Sequence, residues 1–267
     1  MLPDLLPHAV RVLPDLLGDA ASVLPDLLAY AVRVLPGLLL IGACFAVARE
    51  PMVRIMALIF GFVLIRDAMT PLGFWRFGAA GPVPWLRFTD QTGILLVFGV
   101  GTLALTWVVL RLDGDLRALV RWGRLDLAAV VLGVGGGLLA AGPVLLLSLF
   151  TPLSERGGAV AAGLLPVLLF FCLAGNLAEE VLFRGFLQGH LERGGGDAGR
   201  AALLSALLFA ACHVFLASTV TGVGWPLLAF TLVEGLICAY LRLRRGVLAA
   251  TLAHGSAIFL LSAGLTA

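Results

Sequence analysis

The sequence predicts an all-α fold: a polytopic transmembrane helix bundle of about seven or eight spans whose C-terminal helices enclose a site. Composition is the first indication, because 61% of the 267 residues are hydrophobic and 13% are charged, whereas soluble domains carry about 25% charged residues. The second is that apolar runs of spanning length recur along the chain. The third is that ionisable residues stand within or beside the last of these runs, where the cost of burying them indicates a site.

The N-terminal residues 1–40 repeat with a period of 11, because LPDLL begins at Leu2, Leu13 and Leu24 and LPGLL at Leu35. Their polar residues recur about every 3.67 positions, the stripe of a single helix. The proline of each repeat is expected to kink or segment that helix. Two interpretations stay open: an amphipathic helix in the membrane interface, and a tandem duplication without a specific role, which we favour slightly.

The predicted spans follow one another to the end of the chain. They cover about 30–48, 52–70, 92–110, 126–149, 159–180, 200–217, 223–241 and 247–265. Arg33 interrupts the first span, and Arg66 and Asp67 end the second one early. We predict N-terminal transmembrane helices over 41–150 and a site-bearing core over 151–267.

A stretch with several prolines and glycines, residues 71–90, separates the second and third spans. Its tryptophans and phenylalanines beside arginines are typical of an interfacial belt and not of a span. Farther along, Gly133 and Gly137 are four residues apart in a predicted span, which favours close helix packing.

The arginines predict the orientation, since they cluster in three loops that fall on one side of the predicted bundle. These are Arg111, Arg117, Arg121 and Arg124; Arg184, Arg193 and Arg200; and Arg242, Arg244 and Arg245. Positive loops favour the cytoplasm, so we expect a multi-pass protein of a cell membrane, of the bacterial plasma membrane type, with its C-terminus outside. The net charge is only +2 and there is no basic tract, so the lipid bilayer is the expected partner and nucleic acid is not.

Three charged residues directly follow the apolar run 159–178. Glu180 and Arg184 are spaced i,i+4 with the acid first, which suits an ion pair on a helix. Glu179 points about 100° away around the same helix, so its carboxylate is expected to remain free. A charged helix end that snorkels to the lipid headgroups is the structural alternative.

Two histidines lie within the last spans, His213 and His254, each about 12–20 Å from the predicted cytoplasmic start of its helix. With Glu179 they could share a cavity open to the cytoplasm. A carboxylate can take a proton from water and imidazoles can hold that water or an oxyanion, which suits peptide-bond hydrolysis. Zinc bound by His, His and Glu is disfavoured because HExxH is absent, and a proton relay is the non-enzymatic alternative.

These motifs resemble the CPBP family of intramembrane peptidases, which includes CAAX proteases and bacteriocin-processing enzymes. The resemblance covers about residues 176–258. The family pattern EExxxR corresponds to Glu179, Glu180 and Arg184, and FxxxH corresponds to Phe209 and His213. A third region corresponds to Phe230, Gly235 and the stretch that ends at His254.

The resemblance implies a role for each matched residue. Glu179 would be the general base, acting with His213 on water, and Glu180 and Arg184 would orient its carboxylate. His254 would contribute to the oxyanion hole. Phe209 would be a structural residue of the site, and no metal or other cofactor would be required.

Two positions, Ile258 and Glu234, depart from what the resemblance or a membrane span would lead us to expect. Ile258 stands where the family usually carries an asparagine that donates to the oxyanion, and loss of such a donor can cost ~10²–10³ in rate. Glu234 lies inside a span, where an acid is unexpected; it could belong to the site, pair with an arginine or be a buried neutral acid.

The sequence therefore predicts an intramembrane endopeptidase that cuts a membrane-associated peptide or protein near the cytoplasmic face. A catalytically inactive relative, serving as a membrane scaffold or in self-immunity to a bacteriocin, is the main alternative. A proton-coupled carrier is a third hypothesis.

Overall fold

The computed structural model describes residues 5–195 and 197–265, with side chains described from residue 23 onward. Ten α-helices are assigned in this part of the chain. They are α1 (Leu5–Val47), α2 (Pro51–Asp67), α3 (Thr92–Leu112), α4 (Gly114–Arg117), α5 (Leu127–Ser148), α6 (Leu165–Glu180), α7 (Gln188–Arg193), α8 (Ala198–Ala211), α9 (Trp225–Arg245) and α10 (Val247–Ser262). Two π-helical segments are present: Val181–Leu187 continues α6, and Leu216–Val220 follows α8.

The predicted all-α membrane fold is confirmed. Among the described residues, six helical segments are long and apolar enough to cross a membrane: Val23–Val47, Thr92–Leu112, Leu127–Ser148, Ala162–Arg193, Ala198–Val220 and Trp225–Arg245. The apolar helix α10 is shorter than predicted, with 16 residues. Helix α2 has 17 residues and carries Arg66 and Asp67 in its last turn.

A β-hairpin occupies most of the stretch predicted as an interfacial belt. Strands β1 (Trp75–Ala80) and β2 (Val83–Phe88) pair antiparallel, with Trp75 opposite Phe88. The turn uses Gly81 at φ +59°, which glycine adopts without strain. The Trp75 and Phe88 rings stack at 6.0 Å, and Phe88 meets Phe171 of α6 edge-on at 4.9 Å. Aromatic pairs across the strands thus stabilise a small sheet that the composition did not indicate.

The N-terminal helix is not segmented by its prolines within the part described. Helix α1 continues through Pro25 and Pro36, so the predicted segmentation is wrong there. Packing explains this result: Val23 and Val34 are buried, and the Tyr30 hydroxyl donates to Ile65 O of α2 at 2.8 Å. The interfacial role of the repeat stays a prediction, and residues 1–22 lie outside the described side chains.

The close packing predicted for the glycines of α5 is present. A Cβ on Gly137 would lie 2.0 Å from Ser256 Oγ and 2.6 Å from Ala253 O, and one on Gly133 would lie 2.6 Å from Leu252 Cβ. Helices α5 and α10 therefore approach each other more closely than any side chain at these glycines would allow.

The helices alternate in direction, which gives the bundle two different ends. At the Arg-rich end, Arg54 pairs with Asp113 at 2.8 Å, Arg193 Nη2 donates to Ala118 O, and Val247 N donates to Arg121 O. At the hairpin end, Arg87 Nη1 donates to Leu261 O and Arg87 Nε to Gly158 O, both at 3.0 Å. Among the arginines at the hairpin end, Arg76 is exposed, whereas Arg87 and Arg156 are buried.

Candidate active site

Glu179 lies near the middle of a long helical segment and not near its end. Helix α6 passes through the π-helix into α7, so the segment Ala162–Arg193 has 32 residues. The predicted span boundary near residue 180 is therefore wrong, because these charges are buried inside the bundle and do not mark its surface. At 1.5 Å per residue, Glu179 is about 21 Å from Arg193. The π-helix begins directly after the glutamates, and such segments occur frequently at functional sites.

Glu180 is the centre of a buried charge network. Its Oε1 accepts a hydrogen bond from Arg184 Nη1 at 2.9 Å and lies 2.8 Å from His254 Nδ1. Arg184 Nη2 also donates to Gly235 O at 3.1 Å, and Glu180 and Arg184 are both fully buried. The i,i+4 pair expected from the spacing is present. Its second partner is His254, so Glu180 holds this imidazole. The expectation that Glu180 orients the Glu179 carboxylate has no corresponding contact among the described residues.

Glu234 faces the same histidine from the other side. Its Oε2 lies 3.4 Å from His254 Nε2, and its side chain is 2% exposed. The structure therefore brings this unexpected acid of α9 to the site. Both ring nitrogens of His254 face carboxylates, one from α6 and one from α9.

His213 stands where α8 is interrupted before the second π-helix. Its Nδ1 lies 2.8 Å from Phe209 O. A carbonyl can only accept, so Nδ1 carries the hydrogen, and in the neutral ring Nε2 is then an acceptor. The Phe209 ring supports the whole cluster, because Arg184 lies over it at 4.4 Å and the two imidazoles lie 4.7 and 5.5 Å from its centroid.

A cavity of about 100 Å³ joins these side chains, which is enough to admit water. Glu179, His213, Glu234 and His254 all line it, and so does Ile258. Glu179 Oε2 is buried and has no hydrogen-bond partner among the described residues. The carboxylate predicted to remain free is thus directed into a space that holds both histidines.

The cavity extends from Glu179 toward the hairpin end. Its apolar walls there are Trp75, Phe77, Leu86, Phe88, Leu227 and Phe230. Toward the Arg-rich end the bundle is closed by a packed core that includes Leu116, Leu119, Phe183, Phe186, Phe209 and Val247. The predicted opening toward the Arg-rich loops is therefore wrong, because large buried side chains fill that path. A cytoplasmic position of the arginines and a cytoplasmic opening of the cavity cannot both hold.

One group of potential metal ligands occurs in the described part of the chain: Glu180, Cys238 and His254, whose ligand atoms lie within 4.8 Å of one another. It fits zinc poorly, because Glu180 Oε1 already accepts from the Arg184 guanidinium and Cys238 Sγ donates to Ala250 O. A dication there would also face the fixed charge of Arg184. Glu179 and His213, which the zinc alternative requires, are not members of the group.

Sequence reasoning missed Arg66 and the hairpin. Arg66 of α2 lines the cavity beside Glu179, and its Nη2 donates to Cys212 O at 2.7 Å. The charged pair Arg66–Asp67 at the end of an apolar run was the available signal, but it was interpreted as a span boundary. The hairpin gave no comparable signal, because its aromatic residues equally fit an interfacial belt.

Comparison with known proteins gives a match at the level of a family model. Residues 161–260 match a family model described as Type II CAAX prenyl endopeptidase Rce1-like. No curated protein and no solved structure matches the chain. The matched region contains every sequence-predicted site residue and excludes α2 and the hairpin. Residues 161–260 are therefore similar to the Rce1-like CAAX endopeptidases, which is consistent with the CPBP resemblance that the motifs of the sequence predicted.

Proposed function

We propose that the protein is an intramembrane endopeptidase that uses a glutamate-activated water. The observation that carries this proposal is the buried, unpartnered Oε2 of Glu179 in a cavity shared with His213 and His254. A carboxylate left without a partner at this depth is costly. The family match over residues 161–260 supports a protease of the membrane-embedded kind.

In the proposed reaction, Glu179 takes one proton from a water molecule while His213 Nε2 accepts a hydrogen bond from the other. The water oxygen attacks the scissile carbonyl carbon, and the carbonyl oxygen becomes an oxyanion. The C–N bond then breaks, and the proton held by Glu179 passes to the leaving amine. The products are a carboxylic acid and an amine, and no metal or redox partner takes part.

Glu180, Arg184 and Phe209 serve this reaction indirectly. The ion pair of Glu180 and Arg184 neutralises the charge next to Glu179, and Glu180 together with Glu234 holds His254 in place. His254 can reach an oxyanion only where the substrate carbonyl takes the place of Glu234 at Nε2. Positioning residues of this kind act by fixing the reactive groups before the substrate arrives.

The substrate is proposed to be a membrane-associated peptide or protein, because the cavity wall toward the hairpin end is aromatic and aliphatic. It would enter from that end. With the arginines in the cytoplasm, this is the outer face, and the cut would fall near mid-depth of the bundle and not near the cytoplasmic face.

A catalytically inactive scaffold or immunity protein is the second candidate. Ile258 favours it, since this residue lines the cavity and offers no hydrogen-bond donor. The two candidates differ in whether a Glu179 variant loses the biological effect.

The test compares the purified wild type with Glu179→Gln in nanodiscs, using a panel of quenched membrane-held peptides with and without chelator. We expect cleavage by the wild type that is insensitive to chelator and reduced at least ~10²-fold in Glu179→Gln. Loss of cleavage with chelator would restore the metal hypothesis. Full cleavage by Glu179→Gln would refute the proposal, and absence of cleavage by the wild type would favour the scaffold.

A further inference from the structure

Arg66 is a buried cation on the wall of the cavity, contributed by a helix outside the matched region. It is 5% exposed and lies in the last turn of α2. Its Nε donates to Asp67 Oδ1 at 2.7 Å, and its Nη2 donates to Cys212 O at 2.7 Å, next to His213. The Phe62 ring lies 4.9 Å below the guanidinium. These contacts fix the guanidinium plane rigidly.

The third nitrogen of this guanidinium is unused. Arg66 Nη1 is buried and has no hydrogen-bond partner within the described part of the chain. A buried donor without a partner costs about 1–3 kcal/mol, more when it is charged. Because Arg66 lines the same cavity as Glu179 and His213, an acceptor that enters the cavity can remove this cost.

The proposed hydrolysis requires such a donor. The tetrahedral intermediate carries an oxyanion, which is usually stabilised by preorganised N–H or O–H groups. Ile258 has none, and both nitrogens of His254 face carboxylates. Two other polar groups on the cavity wall bond within their own helices: Thr231 Oγ1 donates its single hydrogen to Leu228 O, and Asn176 Nδ2 donates one of its two hydrogens to Cys172 O.

We propose that Arg66 Nη1 donates a hydrogen bond to this oxyanion and so replaces the donor that Ile258 cannot provide. The inference rests on the proposed function and extends it, because it makes α2 part of the catalytic machinery. Its charge would also favour the developing negative oxygen over the neutral ground-state carbonyl, which lowers the barrier and does not merely tighten substrate binding.

The experiment measures kcat and KM for the wild type, Arg66→Met, Ile258→Asn, the double variant and Asn176→Leu on a peptide that the wild type cleaves. Arg54→Met is the matched control: Arg54 also lies on α2, pairs with an acid (Asp113, 2.8 Å) and lies over a phenylalanine at 4.3 Å, but it is at the Arg-rich end. Thermal unfolding in detergent is recorded for each variant.

For Arg66→Met we expect kcat to fall about 10²–10³-fold, while KM changes by less than about threefold. Adding Ile258→Asn should restore at least about tenfold of the lost kcat, because the new amide would lie one helical turn from His254 and face the cavity. Arg54→Met should keep the wild-type kcat.

An arginine that only holds Cys212 O, or only neutralises Glu179, could not be replaced by an amide on α10. Failure of Ile258→Asn to rescue Arg66→Met would therefore overturn the inference, as would a wild-type kcat in Arg66→Met, and in both cases the proposed peptidase would stand. If the Asn176→Leu variant loses kcat and Arg66→Met does not, the donor is Asn176 and the inference is wrong. Absence of cleavage by the wild type would refute both proposals.

Discussion

At the scale of the residue, the adjacent Glu179 and Glu180 have different environments and different proposed roles. Glu180 Oε1 is bonded to Arg184 and His254, whereas Glu179 Oε2, like Glu180 Oε2, has no partner in the described structure. The difference follows from one residue of helical rotation, about 100°, which turns one carboxylate into the packed core and the other into the cavity. Stability and activity should therefore separate at this pair.

Glu180→Gln should lower the free energy of unfolding by about 3–5 kcal/mol, because it leaves the fully buried Arg184 without its counter-charge. Glu179→Gln should change stability by less than about 1 kcal/mol while it abolishes cleavage, since it removes no ion pair seen in the described residues. Thermal or denaturant unfolding of both variants checks this. Equal losses of stability would show that Glu179 also carries a structural charge pair.

At the scale of the element, glycine decides how α5 and α10 meet. The atoms that would oppose a Cβ at Gly137 include the backbone Ala253 O at 2.6 Å and Ala257 N at 3.1 Å, which cannot rotate away. Because α10 carries His254, this contact also determines how deep the imidazole sits between Glu180 and Glu234. The glycine pattern was visible in the sequence, but its partner helix was not.

Gly137→Ala should destabilise the protein by about 1–3 kcal/mol through overpacking against α10. Gly135→Ala is the matched control two residues away, where nothing lies within 4 Å of a new Cβ. This control should be neutral or stabilising by up to about 1 kcal/mol, because alanine favours the helix. The midpoints of thermal unfolding in detergent measure this difference. A midpoint for Gly137→Ala at or above that of Gly135→Ala would contradict close packing.

At the scale of the whole molecule, the cluster of arginines and the cavity at Glu179 lie toward opposite ends of the helix bundle. The Arg-rich end is sealed by large buried side chains, and the cavity reaches the hairpin. Since positive charge favours the cytoplasmic side, the two facts together predict that substrates approach from outside. The hairpin, which packs against α6 through Phe88 and Phe171, then forms the outer wall of the route to Glu179.

Single cysteines placed at the exposed alanines Ala79 and Ala118, in a Cys44→Ser background, test this orientation. A membrane-impermeant maleimide applied to intact cells should label Ala79→Cys on the hairpin and leave Ala118→Cys unlabelled until the membrane is opened. The background protein without either new cysteine gives the level due to the remaining thiols. The reverse pattern would place the cavity on the cytoplasmic side and restore the predicted cytoplasmic cut.

The sequence by itself determined the membrane class, the α-helical spans, the three motif regions and the ion pair of Glu180 with Arg184. These features depend on local hydropathy and on spacings within one helix. Only the tertiary structure decided that Glu180 serves His254, 74 residues away, that Arg66 reaches Cys212 O across 146 residues, and that the cavity extends to the hairpin. Such contacts depend on how helices distant in sequence pack side by side, and neither periodicity nor composition encodes that arrangement.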